Sequence, residues 1–188
     1  MRANFEIDIF DGSKYHSIST LRDVDFLTDR IVHDIYIRNG LAFLSVNFGL
    51  ITIDMKTAEV KETCLFRFPV YSVTELDNYI YASTSKGIFR IPIDKNIQNF
   101  NEWESFPLSA KYAANDWAAF VDENVRKLAT LNNKLYFLVP SNSLFHLEGD
   151  IVVRNTELTV LPTSLEIKDG KMYAYEKTKL WIYTEGQT

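Results

Sequence analysis

The sequence contains one cysteine, Cys64, among 188 residues. A single cysteine excludes an internal disulfide and a cysteine-rich metal site. No apolar stretch reaches the ~18 residues that a membrane-spanning helix needs, and residues 1–6 lack the apolar segment of a signal peptide. Lys and Arg are scattered rather than clustered, and the net charge is −5, so nucleic acid is not an expected partner.

Clusters of catalytic or metal-binding side chains are missing as well. The histidines His16, His33 and His146 lie far apart, whereas zinc needs several converging ligands. No GxSxG elbow, phosphate-binding glycine loop or EF-hand loop is present. Glu102 and Glu104 alternate along a predicted strand, which indicates one solvated face rather than an acid/base pair. The sequence therefore predicts no enzyme, no cofactor and no metal.

An internal repeat is the main positive signal. Residues 35–53 align without a gap on residues 73–91, at an offset of 38. A third copy, residues 128–147, aligns with one inserted residue, and a fourth, residues 165–183, aligns without a gap. The chain also has 13 Phe and 10 Tyr, and aromatic side chains favour strands.

Each copy predicts the same succession of strands. A first strand leads to a two-residue hairpin turn in which both residues need a positive φ. These turns are Asn39-Gly40, Asp77-Asn78, Asn132-Asn133 and Asp169-Gly170. The second strands are predicted at Leu41–Ser45, Tyr79–Ser83, Lys134–Val139 and Lys171–Tyr175. The third strands are predicted at Leu50–Asp54, Ile88–Ile93, Leu144–Leu147 and Leu180–Tyr183. A weaker fourth strand follows, for example Glu59–Phe66 and Glu102–Phe106.

The seven glycines fall on only three repeat positions, which supports this register. Gly40 and Gly170 lie in the first turn, and Gly49 and Gly87 open the third strand. The other three, Gly12, Gly149 and Gly186, fall where the third strand turns into the fourth.

The turns are spaced by 38, 55 and 37 residues. A period of roughly 40–45 residues with four strands is that of a β-propeller blade, whereas a barrel or sandwich would lack this self-similarity. The fold predicted is therefore all-β: a β-propeller segment of about four blades, three complete and partial blades at the two ends. The blades are placed at residues 31–66, 70–109, 125–159 and, incomplete, 161–188, and residues 1–20 end a preceding blade. An Ala-rich connection, residues 110–124, is inserted and favours one or two helical turns.

The repeat resembles the two-component regulator propeller repeats of Bacteroidetes-type bacteria. The resemblance lies in the strand Val32–Ile37, the aromatic strand Phe43–Phe48, Gly49 with the short apolar strand after it, and the turn of residues 9–15. The first blade is most similar to PorZ-type propellers of the type IX secretion system. The resemblance implies an excerpt of a large periplasmic or cell-surface protein that binds or senses a glycan, a lipopolysaccharide component or an envelope protein.

Candidate binding residues lie in loops that the register places on one face of the ring. The loops between second and third strands hold Asn47 and Phe48, Ser85 and Lys86, Ser141 and Asn142, and Lys177. The inserted connection adds Tyr112 and Trp117. Amide, hydroxyl and aromatic groups side by side suit contacts with a sugar or a peptide.

A non-catalytic binding module is therefore the leading hypothesis. Two alternatives stay open: a propeller-fold glycoside hydrolase or lyase, and a structural spacer that assembles through open blade edges. Self-association is expected to involve the incomplete end blades, with residues 14–19 pairing beside Leu180–Tyr183 within the chain or from a second copy.

Overall fold

The computed structural model describes residues 7–10, 12–18, 31–106, 125–139, 143–148, 151–155 and 162–184. Within them the chain is all-β, with a single short 3₁₀ helix, Phe100–Glu102. The connection 110–124, Gly149 and Gly186 lie outside the described residues.

The strands form five antiparallel sheets in chain order. An N-terminal hairpin pairs β1 (Asp8–Phe10) with β2 (Tyr15–Ser17). Blade 1 contains β3 (Val32–Arg38), β4 (Leu41–Val46), β5 (Gly49–Asp54) and β6 (Glu59–Leu65). Blade 2 contains β7 (Val70–Leu76), β8 (Tyr79–Thr84), β9 (Gly87–Pro92) and β10 (Glu104–Ser105). Blade 3 contains β11 (Lys127–Leu131), β12 (Lys134–Leu138), β13 (Leu144–Glu148) and β14 (Ile151–Arg154). Blade 4 contains β15 (Ser164–Lys168), β16 (Lys171–Glu176) and β17 (Lys179–Tyr183).

The predicted four-blade arrangement is confirmed, and its turns have the required geometry. All four hairpins carry positive φ at both turn residues, for example 48° and 76° at Asn39 and Gly40, and 49° and 63° at Asp77 and Asn78. Asn, Asp and Gly tolerate this left-handed conformation better than other residues. The turn residues therefore fix the register of each first-to-second strand pair.

One strand prediction was wrong. The fourth strand of blade 2 is only Glu104–Ser105, because the chain before it forms the 3₁₀ helix. Glu102 consequently does not share a strand face with Glu104. Asn99 donates a hydrogen bond to the Glu102 carboxylate at 3.2 Å, whereas Glu104 pairs with Arg90. Residues 14–19 were predicted to pair beside Leu180–Tyr183 within the chain or from a second copy. Among the described residues β2 pairs with β1 and β17 with β16, so the pairing within the chain is not formed, and pairing with a second copy stays a prediction.

Neighbouring units pack face to face through four apolar clusters, one for each junction. From the N-terminal hairpin onward the junctions are Ile18 with Leu44 and Ile51; Phe43 and Leu50 with Val73 and Ile80; Tyr81 and Ile88 with Leu128 and Phe137; and Tyr136 and Leu138 with Leu165 and Met172. Each large apolar side chain buried in this way contributes about 1.5–3 kcal/mol. Stacking of sheet faces is therefore what orders the blades.

The first strands of the blades lie side by side around an axis. β3 contacts β7, β7 contacts β11, and β11 contacts β15. Together they line a cavity of about 510 Å³. This order makes the first strand of every blade the innermost one.

Candidate functional site

One face of the ring is built from the turns between second and third strands together with the connections between blades. Residues 66–69, which join β6 to β7, lie between two such turns. The amide of Arg67 donates to the carbonyl of Phe48 at 3.0 Å, and the amide of Ser85 donates to the carbonyl of Pro69 at 3.1 Å. These bonds tie blade 1 to blade 2, and we call the surface the connection face.

Asn47 is placed by the first of these turns. Its side-chain carbonyl is hydrogen-bonded to the imidazole of His33, at the start of β3. The His33 ring makes an edge-to-face contact with Tyr71, at the start of β7, with ring centroids 5.3 Å apart. Tyr71 lies 38 residues after His33, the offset of the first two copies of the repeat. An amide, an imidazole and a phenol thus meet on the connection face.

Phe48, a predicted binding residue, takes part in the packing between two sheets. Its ring is half-buried and packs against the cluster between the N-terminal hairpin and blade 1. Asn47 is half-buried too, but its side chain bonds to His33, whereas the Phe48 ring contributes to apolar packing.

Ser85 and Lys86 form the corresponding turn of blade 2. The Thr84 hydroxyl accepts a hydrogen bond from the Lys86 amide at 3.0 Å and donates to the Gly87 carbonyl at 2.7 Å, which fixes this turn. The Lys86 ammonium lies 4.5 Å from the centre of the Phe68 ring. A cation above an aromatic face at this distance is attracted by the ring's quadrupole. The turn therefore presents a cation held over an aromatic ring.

An aromatic cluster supports this part of the face from below. The ring of Phe66 is 2 % exposed and contacts the rings of Phe68, Phe89, Phe100 and Trp103, with centroids 4.9–6.0 Å apart. Trp103 also donates its indole N–H to the carbonyl of Ile97 at 3.0 Å. Because Phe68 rests on this cluster, its position beneath Lys86 is fixed by packing.

Cys64 lies under the same region and is buried. Burial raises the pKa of its thiol to about 12, partly opposed by a hydrogen bond with Trp103. A thiol with this pKa is protonated at neutral pH and is a poor nucleophile. Cys64 therefore acts here as a small core residue.

The predicted site residues are not all brought together. The structure joins the turn of Asn47 and Phe48 to the turn of Ser85 and Lys86 through the connection 66–69. Lys177 is exposed in the turn between β16 and β17 of blade 4. The remaining four, Tyr112, Trp117, Ser141 and Asn142, lie outside the described residues.

Sequence reasoning missed four residues of this face: His33, Arg67, Phe68 and Tyr71. Arg67 is exposed and has a φ of 63°, and it lies between the two turns. The available signal was the repeat offset, which relates His33 to Tyr71, and the short connection between the first two blades. Neither signal shows that the connection between blades 1 and 2 runs between the two candidate loops.

A polar network lies along the ring axis. Asp34 of β3 forms an ion pair with Lys127 of β11 and accepts a hydrogen bond from the Ser72 hydroxyl of β7 at 2.6 Å. The Ser72 hydroxyl also accepts from the Leu128 amide at 3.1 Å. This network connects the innermost strands of three blades.

Among the described residues, no group of three or more His, Cys, Asp or Glu side chains is arranged to hold a metal ion. No helix among these ranges has the length and apolarity needed to cross a bilayer.

Known proteins similar to this chain include β-propellers, in agreement with the fold described above. Residues 2–104 match the family model of the PorZ N-terminal β-propeller domain of the type IX secretion system. PorZ of Porphyromonas gingivalis, an essential bacterial surface component of that system, matches 97% of this chain and 24% of its own, at 16% identity and a TM-score of 0.77. The extracellular domain of BT4673 from B. thetaiotaomicron matches 93% of this chain and 23% of its own, at 18% identity and a TM-score of 0.56.

A computationally designed protein, Ika4, matches 83% of this chain and 92% of its own, at 11% identity and a TM-score of 0.51. No curated protein sequence matches the chain. At these identities the solved structures show the fold alone. The chain spans about a quarter of the length of the PorZ and BT4673 structures.

Proposed function

The chain belongs to the PorZ N-terminal β-propeller family, and on that premise we propose that it is a non-catalytic binding module of a secretion-associated protein. Its place of action is the periplasm or the cell surface. Support comes from PorZ, a bacterial surface component, and from BT4673, whose matched region is an extracellular domain.

The connection face is the binding surface, and its ligand is a glycan such as a lipopolysaccharide component. The observation that carries this proposal is the contact of Asn47, His33 and Tyr71 across the junction of blades 1 and 2. Sugars are bound by polar groups that hydrogen-bond their hydroxyls and by aromatic rings that cover their apolar faces. On this part of the face Asn47 and His33 offer the polar groups and Tyr71 offers the aromatic ring, and His33 contacts both of the others.

A protein of the cell envelope is the second candidate ligand. Lys86 over Phe68, with exposed Arg67 beside it, favours a partner that contributes acidic or aromatic side chains. Both candidates use the connection face, so the same variants serve to test them.

Titration of the protein with oligosaccharide fragments of bacterial lipopolysaccharide, followed by NMR or calorimetry, tests the proposal. Saturable binding should weaken about tenfold in Asn47→Ala and in Tyr71→Ala, a loss of about 1.4 kcal/mol each. Tyr15→Ala is the matched control, because Tyr15 is 72% exposed on the N-terminal hairpin, away from this face. The Tyr15→Ala variant should bind the oligosaccharide with the affinity of the wild-type protein.

Capture of envelope proteins on the same set of variants distinguishes the two ligand classes. If an envelope protein binds the Tyr15→Ala variant but not the Tyr71→Ala variant, the ligand is that protein and not a glycan. The connection face would then remain the binding surface. Turnover in a glycosidase or lyase screen, with neither ligand class bound, would contradict a non-catalytic module.

A further inference from the structure

The cavity on the ring axis is bounded by strand edges. In the described part of the chain, the first strand of each blade (β3, β7, β11 or β15) pairs only with the second strand of its own blade. An unpaired strand edge presents a row of backbone N–H and C=O groups. The four edges therefore offer both hydrogen-bond donors and acceptors to the cavity of about 510 Å³.

Several apolar residues of this wall turn their side chains away from the axis. Val73, Leu128 and Leu165 line the cavity but are at most 2% exposed, because they pack in the clusters between blades. They contribute mainly backbone to the wall, whereas Ile35 and Ile37, which are 52% and 59% exposed, add an apolar patch on the blade 1 side. A wholly apolar ligand does not fit this wall, because it would take backbone groups out of water without replacing their hydrogen bonds.

The charged side chains that line the cavity balance one another. Asp34 forms an ion pair with Lys127, and Glu166 and Lys168 lie two residues apart on β15. Two carboxylates are thus matched by two ammonium groups. The wall consequently has no net charge that would favour a small anion or a small cation.

Two threonine hydroxyls add to the polar groups of the wall. Thr74 on β7 and Thr130 on β11 both line the cavity, and their hydroxyl oxygens are 3.1 Å apart. A hydrogen bond between two hydroxyl groups uses one of their two protons, so the other proton can be donated elsewhere. Thr130 is half-buried and Thr74 is buried, which makes Thr130 the more accessible of the two.

We propose that this axial cavity binds a neutral sugar of one or two rings. A sugar carries no charge, and its hydroxyl groups both donate and accept hydrogen bonds, which matches a wall of backbone edges, hydroxyls and balanced charges. The patch of Ile35 and Ile37 suits the apolar face of a sugar ring. The cavity volume lies in the range of about 300–1,000 Å³ that is typical of small-molecule sites. The axial cavity shares no residue with the connection face, so this proposal is independent of the ligand bound there.

Titration of the isotope-labelled 188-residue chain with sugars, followed by NMR, tests the proposal. The probes are glucose, galactose, mannose and N-acetylglucosamine, together with the disaccharides maltose and lactose. At least one probe should bind saturably and shift the amide signals of Thr130 and Glu166 more than that of Lys86 on the connection face. Because the ligand is uncharged, its affinity should change less than about twofold between low salt and about 0.5 M NaCl.

Two variants locate the site. Thr130→Val removes the hydroxyl but keeps the branched shape, and it should weaken binding about threefold to tenfold, the effect of one hydrogen bond. Glu166→Ala removes a charged acceptor and should weaken binding about tenfold.

Thr63→Val and Glu59→Ala are the matched controls. Thr63 is half-buried and Glu59 is exposed, like Thr130 and Glu166, but both lie on β6 at the outer edge of blade 1. Both controls should leave the affinity within about twofold. Circular dichroism should show all four variants folded.

Four results would overturn the proposal. One is no saturable binding of any of these sugars, and another is an equal loss of binding in the control variants. The third is binding of glycine or triglycine but of no sugar, which would assign the cavity to a zwitterionic ligand. The fourth is a set of sugar-induced shifts confined to Asn47 and Lys86, which would support the connection face and leave the axial cavity without a ligand. Failure at the axis does not affect the connection-face proposal, which Asn47→Ala and Tyr71→Ala test separately.

Discussion

The carboxylate of Asp34 in blade 1 forms an ion pair with the ammonium of Lys127 in blade 3, across the innermost strand of blade 2. The Asp34 and Lys127 side chains are 12% and 22% exposed, and Ser72 holds the carboxylate from the strand between them. One charge pair therefore links repeats that are not neighbours in sequence.

Lys127→Met should lower the free energy of unfolding by about 1–3 kcal/mol, because it leaves the largely buried Asp34 carboxylate without its counter-charge. A double-mutant cycle with Asp34→Asn should give a coupling energy of about 1 kcal/mol or more. Urea unfolding of the four proteins measures it. The cycle for Arg90 and Glu104, a more exposed pair, is the control and should give less than about 0.5 kcal/mol. Equal coupling in the two cycles would contradict this prediction.

Gly49→Ala should destabilise the protein more than any other glycine substitution at a third-strand start. A Cβ at Gly49 would lie 2.0 Å from the carbonyl oxygen of Cys64, and its φ is +154°. The expected loss is about 3 kcal/mol or more. Gly87→Ala is the matched control: its φ is +101°, but an added Cβ meets nothing within 4 Å, so only the backbone strain of about 1–2 kcal/mol should appear. Similar losses in thermal or urea unfolding would argue against the close contact.

These two glycines show how far the sequence alone could lead. The repeat predicted correctly that both open a third strand, because spacing and turn chemistry are local. The repeat could not distinguish Gly49 from Gly87. The close contact at Gly49 depends on how β6 lies beside β5 in the folded sheet. The same distinction between local pattern and packing applies to the candidate site. The repeat predicted the loops that carry Asn47 and Lys86. Their contacts with His33, Tyr71 and Phe68 depend on how two blades pack, which the sequence pattern does not show.

Phe66→Ala should lower the free energy of unfolding by about 3–5 kcal/mol, since it removes the centre of the aromatic cluster under the connection face. Phe66→Leu should cost less, because it keeps most of the buried volume. Near-ultraviolet circular dichroism should show a smaller Trp103 signal in the Ala variant. A loss below about 1 kcal/mol would mean that the cluster does not support the face.

Stability should fall at alkaline pH, and Cys64 should account for part of that fall. Burial raises the pKa of its thiol to about 12, from an ordinary value of 9.0, so the folded protein keeps a proton that the unfolded chain releases. This contribution is fully present below about pH 9 and is lost as the pH rises toward 12. Burial, and next the Glu75 carboxylate, raise the pKa of Tyr36 too, which adds to the effect.

Urea unfolding between pH 7 and pH 10.5 measures this contribution. Above pH 9 the wild-type curve should fall more steeply than that of Cys64→Ala, by up to about 1.4 kcal/mol per pH unit. Parallel curves would show that Cys64 titrates alike in the folded and unfolded chains.

Disulfide trapping between neighbouring blades tests the stacked-blade arrangement most directly. The hydroxyl oxygens of Thr74 on β7 and Thr130 on β11 are 3.1 Å apart. In a Cys64→Ala background, Thr74→Cys with Thr130→Cys should cross-link under mild oxidation, because adjacent innermost strands hold the two side chains in contact. Thr74→Cys paired with Thr57→Cys, in the outer turn between β5 and β6, should stay reduced. A cross-link in the second pair but not in the first would contradict the packing of repeats around a common axis.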